Sequence, residues 1–213
     1  MEQLLIRCSG ISKIIGRSDT ALSDTAKSHI REIAKENLFG YRSFQGSKYT
    51  EKGITLEEQA IKLSGLVRGR IFKKNEERKE NGFITGECDV FDSYNKIIID
   101  EKCSWDIGTH PFFSDEAEKK VKKSGYDWQM QGYMWLWDCE QAEVDFCLFP
   151  TPEDLLSTFD NPTKYIDLVN DIPQRQRIKT VIVKRDEKKI EQIKKMVLLA
   201  REYYNDLIKQ YGY

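Results

Sequence analysis

Ile97 to Lys102 reads Ile-Ile-Ile-Asp-Glu-Lys, an apolar run that stops abruptly on charged residues. Adjacent branched aliphatic residues without polar alternation suit a β-strand buried on both faces. A strand of that kind ending in two acids and a base restricts the fold around it, because carboxylates are rarely buried unless paired or bound to metal. The stretch before it completes a hairpin. Ile84 to Phe91 and Lys96 to Cys103 are β-prone, and Asp92-Ser93-Tyr94-Asn95 between them is a cluster of turn formers. Asp89 lies on the first strand. Side chains alternate along a strand, so Asp100 and Lys102 share one face and Glu101 points to the other.

Composition sets the bounds. With 213 residues, 39% of them hydrophobic, the chain can bury one sizeable core and has little left for a second, so one domain over 1–213 is expected. A formal net charge of −1 supplies no overall positive field, so nucleic-acid contact has to come from a local basic patch. No apolar run reaches the roughly 20 residues that span a bilayer, and the N-terminus lacks a signal-peptide core. A cytoplasmic protein with no membrane contact is expected. The five cysteines are scattered without a C-x-x-C, which fits reduced thiols rather than a zinc or iron–sulfur cluster. His29 and His110 are far apart and are expected to be solvated or capping.

Helices and strands alternate around the hairpin. Ser9 can cap a short helix over Gly10 to Gly16, striped by Ile11, Ile14 and Ile15. Thr20 to Asn37 reads as a second helix, ended near Gly40. Tyr41 to Tyr49 reads as a loop. It is either an ordinary surface loop or a DNA-contacting one, with Arg42 and Lys48 for phosphates and Tyr41 or Phe44 for stacking. Gly53 to Leu66 is a third helix, with Leu56, Ala60, Ile61 and Leu63 toward a core. Glu57 falls at the buried edge, as a candidate ligand or as a solvated helix acid. Lys62 to Lys79 carries Arg68, Arg70, Lys73, Lys74 and Arg78, offset by Glu76 and Glu77. It is a phosphate-facing patch or a solvated face. Ser114 to Trp137 reads as one long helix, broken near Gly125. Gln129 shares a face with Tyr126 and Tyr133 and needs a polar partner if buried, while Gln131 points elsewhere. Ala142 to Phe149 and Thr180 to Lys184 are strands, separated by an insert, and a charged amphipathic helix runs from Asp186 to about Gln210. The sum is an α/β fold: a small mixed sheet flanked by helices.

Gly86-x-x-Asp89 followed by Asp100-x-Lys102 resembles the core of the PD-(D/E)XK nuclease superfamily. Over almost its full length the chain resembles the phage lambda exonuclease, or YqaJ-like viral recombinase, family. Ile6 to Ile15, with Ser9 inside it, resembles that family's I-T-A-S segment. Gly53, Glu57 and Ala60 match its G-x-x-x-E-x-x-A helix. Asp100, Lys102 and Cys103 match its E-x-K-C, Tyr126 to Trp135 its Y-x-x-Q-x-Q helix, and Val181 to Lys188 its final strand and helix start. The chain departs from the pattern in having Asp100 where Glu is usual, and in lacking a counterpart of the arginine that binds a 5′-phosphate.

The resemblance implies a restriction-endonuclease-like core and a DNA exonuclease dependent on Mg²⁺, with Mn²⁺ able to substitute. It implies digestion of linear duplex from its ends, 5′ to 3′, in phage-type recombination in a bacterial host cell. A homotrimeric ring and a single-strand annealing protein partner are implied with it. Asp89, Asp100 and the backbone carbonyl of Glu101 would hold a metal ion, and Glu57 would reach it directly or through water. Lys102 would orient the attacking water or stabilise developing charge, and Gln129 would fix both by hydrogen bonds. Ser9, Arg42, Lys48 and Tyr133 would meet the substrate. Oxygen ligands of this kind suit Mg²⁺ or Mn²⁺, and crowded carboxylates make sense around a cation. Two alternatives stand beside this reading: a PD-(D/E)XK endonuclease acting on particular DNA structures, and a non-catalytic binding module on a decayed nuclease fold. Retention of Asp89, Asp100, Lys102 and Gln129 argues against the second.

Overall fold

The computed structural model describes residues 3–42 and 46–212. A small sheet is built from β1 (Ile6–Arg7), β2 (Lys79–Glu80) and β3 (Ile84–Gly86), in the order β1-β3-β2. A larger one is built from β4 (Val90–Asp92), β5 (Ile97–Ser104), β6 (Gln141–Leu148) and β7 (Ile178–Lys184), in chain order. Within it β5 and β6 are parallel, and both outer pairings are antiparallel. A parallel pair needs a long crossover. Here it contains α4 (Ser114–Lys123) and α5 (Tyr126–Trp137), while α1 (Ile11–Ile14), α2 (Asp24–Phe39) and α3 (Lys48–Arg68) precede the large sheet. After β6 come the short α6 (Leu168–Asn170), then β7 and α7 (Glu187–Gln210).

The large sheet is covered on both faces, as the unalternated isoleucines require. Ile98, Ala142, Val144 and Phe146 share one core with Met130 and Met134 of α5 and Ile193 and Val197 of α7. On the other face, Leu56, Ala60 and Leu63 of α3 pack with Cys147 and Phe149, and Ile61 packs with Val90 and Ile99. Gly125 breaks the long helical stretch where expected. Its φ is 72°, and a Cβ there would lie 2.3 Å from the Ser12 Cβ, so it serves both the turn and the close approach of α1.

Several boundaries differ from the sequence reading. The first hairpin strand is not continuous, because β3 belongs to the small sheet and Glu87 to Asp89 link it to β4. Gly86 fixes the departure: a Cβ there would meet Cys8 Sγ at 2.6 Å and the Tyr133 ring at 2.8 Å. Helix α3 begins at Lys48 rather than Gly53, because the Ser47 side chain caps it by accepting from Thr50 N. Lys48 and Tyr49 are therefore helical. Helix α2 begins at Asp24 behind its cap, Ser23. Ser9 caps nothing; it is exposed in a 3₁₀ turn, Cys8–Gly10, that runs straight into α1. His110 is neither solvated nor capping but 4% exposed, with Nδ1 3.2 Å from Ser104 Oγ. All five cysteines are free thiols.

Candidate active site

The pairing of β4 with β5 stops at Val90 opposite Ile99. From Asp100 onward, β5 keeps β6 on one side, and among the described residues no strand lies on the other. A carboxylate takes over at that opening: Asp89 Oδ2 accepts the Glu101 N–H at 2.8 Å. The register with β6 then sorts the side chains. Asp100 and Lys102 lie opposite Val144 and Phe146 on the α5 face, and Glu101 lies opposite Asp145 on the α3 face. Asp89, at the edge, acts on both.

Asp100 is 1% exposed and forms an ion pair with Lys102, whose ammonium lies 5.0 Å from the Tyr126 ring centroid. Both Glu101 carboxylate oxygens are buried without a hydrogen-bond partner, and Asp100 Oδ2 has no well-formed hydrogen bond beyond its ion pair. The crowding shows in the proton affinities. Burial first, then the Asp100 charge, pushes Asp89 up to about 7. Burial, then Asp89 and Asp145, holds Glu101 well above the usual carboxylate range. Burial alone would depress Lys102, but Asp100 and Asp89 outweigh it and hold its ammonium above the ordinary lysine range.

Glu57 comes from α3, where its side chain is 25% exposed and bonded by Lys74 Nζ at 2.6 Å. Its charge reaches Asp89 and adds to the upward shift there. The segment carrying Lys74 is tied to the acidic loop. Asn75 N donates to Asp89 O at 2.7 Å, and Asn75 Nδ2 to Cys88 O at 3.1 Å. Behind the loop, Gln129 Nε2 donates to the Tyr133 hydroxyl at 3.0 Å, which donates to Glu87 O at 2.9 Å. Gln129 thus has the polar partner its burial demands, and that partner is Tyr133. Tyr133 is 5% exposed and spends its hydroxyl on the backbone, so it supports the acidic loop and offers little surface to substrate.

Among the described residues, no group of three His, Cys, Asp or Glu side chains is already gathered as a ligand set. The chemistry of the donors nevertheless fits a hard divalent cation: oxygens only, buried, partly unpartnered and held at raised proton affinity by one another. Like charges without a cation cannot converge, and Lys74 and Lys102 each neutralise one acid instead.

The other expected substrate contacts lie elsewhere. Ser9 and Arg42 are exposed, and Phe44 falls outside the described residues. Lys48 stacks over Trp105 at 4.7 Å and faces Asp160 at 3.9 Å, just beyond the end of β5. Apart from the exposed Lys73, the basic run is not a free patch. Lys62, Arg68, Arg70, Lys74, Arg78 and Lys79 each pair with a carboxylate.

Three features went unread in the sequence. Lys52 is 1% exposed and donates to Trp105 O at 2.8 Å, Phe149 O at 2.7 Å and Thr151 Oγ1 at 3.0 Å, which binds the start of α3 to the ends of β5 and β6. The signal was there: Lys52 falls four residues before Leu56, on the buried stripe of α3. Asp145 is wholly buried and held by Ser64 at 2.6 Å and Arg68 at 2.7 Å. An acid between Val144 and Phe146 poses the same question as Asp100. The third feature is the Glu57–Lys74 pair.

No protein-family model and no curated protein matches this chain. Solved structures do. A phage-related exonuclease from Haemophilus somnus 129PT is 58% identical over 99% of this chain and 98% of its own, with a TM-score of 0.96. LHK-Exo, an alkaline exonuclease from Laribacter hongkongensis, is 14% identical over 97% of this chain and 91% of its own, with a TM-score of 0.65. Its complex with dAMP matches over the same shares at 0.63. At that identity the likeness to LHK-Exo is one of fold.

Proposed function

The chain belongs to the phage-related exonucleases of the lambda exonuclease and YqaJ-like family, and on that premise we propose that it is a Mg²⁺-dependent DNA exonuclease digesting linear duplex from its ends, 5′ to 3′. Its fold is the PD-(D/E)XK nuclease core that the sequence resembles. The observation that carries the reading is the open edge of β5, where Asp89, Asp100 and Glu101 crowd together beside Lys102.

In this reading Asp89, Asp100 and the Glu101 carbonyl would hold a divalent cation, and Glu57 would complete the set directly or through water. When bound, such a cation lowers the pKa of water and offsets charge on the phosphate oxygens. Lys102 contributes a fixed positive charge that places the water or stabilises the phosphoryl oxygens in the transition state. The water oxygen forms a bond to phosphorus, the bond to the leaving 3′-oxygen breaks, and that oxygen takes up a proton. Gln129 and Tyr133 serve by holding the Glu87–Asp89 loop in place. Lys48, Arg42 and Ser9 are carried as contacts to the DNA backbone. The full chain acts as one nuclease domain in the host cytoplasm, as a homotrimer serving recombination with a single-strand annealing protein. Among the described residues, no helix is long and apolar enough to cross a membrane.

The test mixes end-labelled linear duplex and covalently closed plasmid with the protein in Mg²⁺, in Mn²⁺ and in excess EDTA, with mass measured in solution at the same concentration. Loss of linear DNA alone, metal dependence and a trimer are expected. A monomer that nicks or linearises the circle would transfer the reading to an endonuclease. Full activity in EDTA would sink the metal mechanism, and DNA binding without cleavage in any metal would leave the binding module.

A further inference from the structure

The Glu57–Lys74 pair occupies an unusual place. Lys74 Nζ lies 2.6 Å from Glu57 Oε2, with side chains 46% and 25% exposed, so the pair sits on the rim of the acidic cluster within reach of solvent. Lys102 is its opposite: 23% exposed and held from within by Asp100. Lys74 is also placed by more than its own ion pair. The neighbouring Asn75 is fastened to the Asp89 and Cys88 carbonyls by its backbone and side-chain nitrogens. The ammonium is thus carried on the same piece of chain that positions Asp89.

We propose that Lys74 exchanges partners: it neutralises Glu57 while the site is free of metal, and passes to a phosphate oxygen of the DNA once a divalent cation takes Glu57. The proposal rests on the nuclease reading above and deepens it. A divalent cation on Glu57 would draw on the same carboxylate charge and repel the Lys74 ammonium across a few ångströms, which weakens the pair. Lys102 is held inside the site by Asp100, whereas Lys74 stands on the exposed rim, so its flexible stem lets the ammonium leave without moving the backbone. It is then a positive charge at the mouth of an acidic site, where the available counter-anion is the phosphodiester backbone. The other paired cations of the same run, Lys62, Arg68, Arg70, Arg78 and Lys79, have partners outside the expected ligand set. Among those paired cations, metal binding frees Lys74 alone. Metal and DNA would then bind cooperatively, with Lys74 as the positioning residue that links them.

The test uses wild type, Lys74→Met and Lys74→Arg. Mn²⁺ is titrated calorimetrically into each protein alone. A short labelled duplex is then bound, by anisotropy over a range of KCl, in EDTA and in Ca²⁺. Lys74→Met should bind Mn²⁺ about fivefold more tightly, because a partly exposed competing ion pair worth up to about 1 kcal/mol is gone. Its slope of log affinity against log salt should fall by about one in Ca²⁺, the loss of one phosphate contact, and match wild type in EDTA. Lys74→Arg should keep the wild-type slope. Equal or weaker Mn²⁺ binding by Lys74→Met, or an unchanged slope in Ca²⁺, would overturn the exchange. A wild type that leaves linear duplex intact in Mg²⁺ would instead overturn the nuclease reading and the exchange with it. An active wild type with an indistinguishable Lys74→Met variant overturns the exchange alone.

Discussion

Gln129 donates to the Tyr133 hydroxyl one helical turn further along α5, at 3.0 Å. The pair is a relay, because that hydroxyl donates in turn to the Glu87 carbonyl at 2.9 Å, two residues before Asp89. Tyr133→Phe removes the relay and little else. It leaves a buried amide and a part-buried carbonyl without this partner, which costs about 1–3 kcal/mol. The variant is expected to fold, to melt lower, and to lose about tenfold in rate as the acidic loop loosens, within the range for partners that orient a metal ligand. A urea titration beside single-turnover cleavage checks both. Wild-type turnover with lowered stability would confine Tyr133 to packing.

Asp100→Asn keeps the shape of a buried side chain and removes its charge. Cleavage in Mg²⁺ should fall by more than about a hundredfold, since even residues that merely orient ligands are worth tenfold to a hundredfold. The variant should still show a cooperative unfolding transition without metal. Substantial residual activity would move the ligand role to the neighbouring Glu101.

Lys52→Met tests the buried staple between α3 and the sheet. Burial already depresses the Lys52 ammonium to about 8, against its three oxygen acceptors. Methionine fills the volume but takes the Lys52 donor from the Phe149 carbonyl and leaves the Trp105 carbonyl with the Thr151 hydroxyl alone, at 2.9 Å. A loss of about 1–3 kcal/mol is expected, seen as a lower urea midpoint at unchanged slope. A change below about 1 kcal/mol would mean that the carbonyls find water instead.

His110 sets a pH dependence. Burial, helped by the nearby Lys120 charge, lowers it to about 4 in the folded protein, against 6.5 for an ordinary histidine. The unfolded chain therefore binds the extra proton between those values, and folding loses stability as pH falls from about 6.5 to about 4. Above that window the stabilisation is complete. A depression of this size corresponds to at most about 3 kcal/mol. His110→Gln should lose less than wild type on acidification, measured as urea midpoints at pH steps across the window. Parallel curves for the two proteins would show that His110 does not carry the effect.

The legible parts of the fold were those whose local pattern and tertiary role agree. The Ile97–Ile99 run, the break at Gly125 and the amphipathic helix behind Asp186 each follow from periodicity or from a glycine at positive φ. The opposed faces of Asp100 and Glu101 followed from strand alternation alone. The hairpin's first strand misled because Ile84 to Phe91 has continuous β-propensity, while the break is imposed from outside by Cys8 and Tyr133 closing on Gly86. Pairings across the chain, such as Lys74 with Glu57 or Arg68 with Asp145, depend on the path of the segment around 70–78 and leave no periodic trace. Lys52 is legible from its place on the apolar stripe of α3, one residue before the expected start of that helix.

An unpaired strand edge is a template on which another chain can build, and natural sheets blunt such edges with inward-pointing charge. Beyond Ile99, β5 has that kind of edge, and the Asp89 carboxylate stands on it. A second strand arriving there would have to displace an acid and bury the charges of Asp100 and Lys102. The acid proposed to serve hydrolysis would therefore also guard the chain against edge-to-edge self-association. Replacing Asp89 with an apolar residue removes both roles together, and such variants should be scored for aggregation before they are scored for activity.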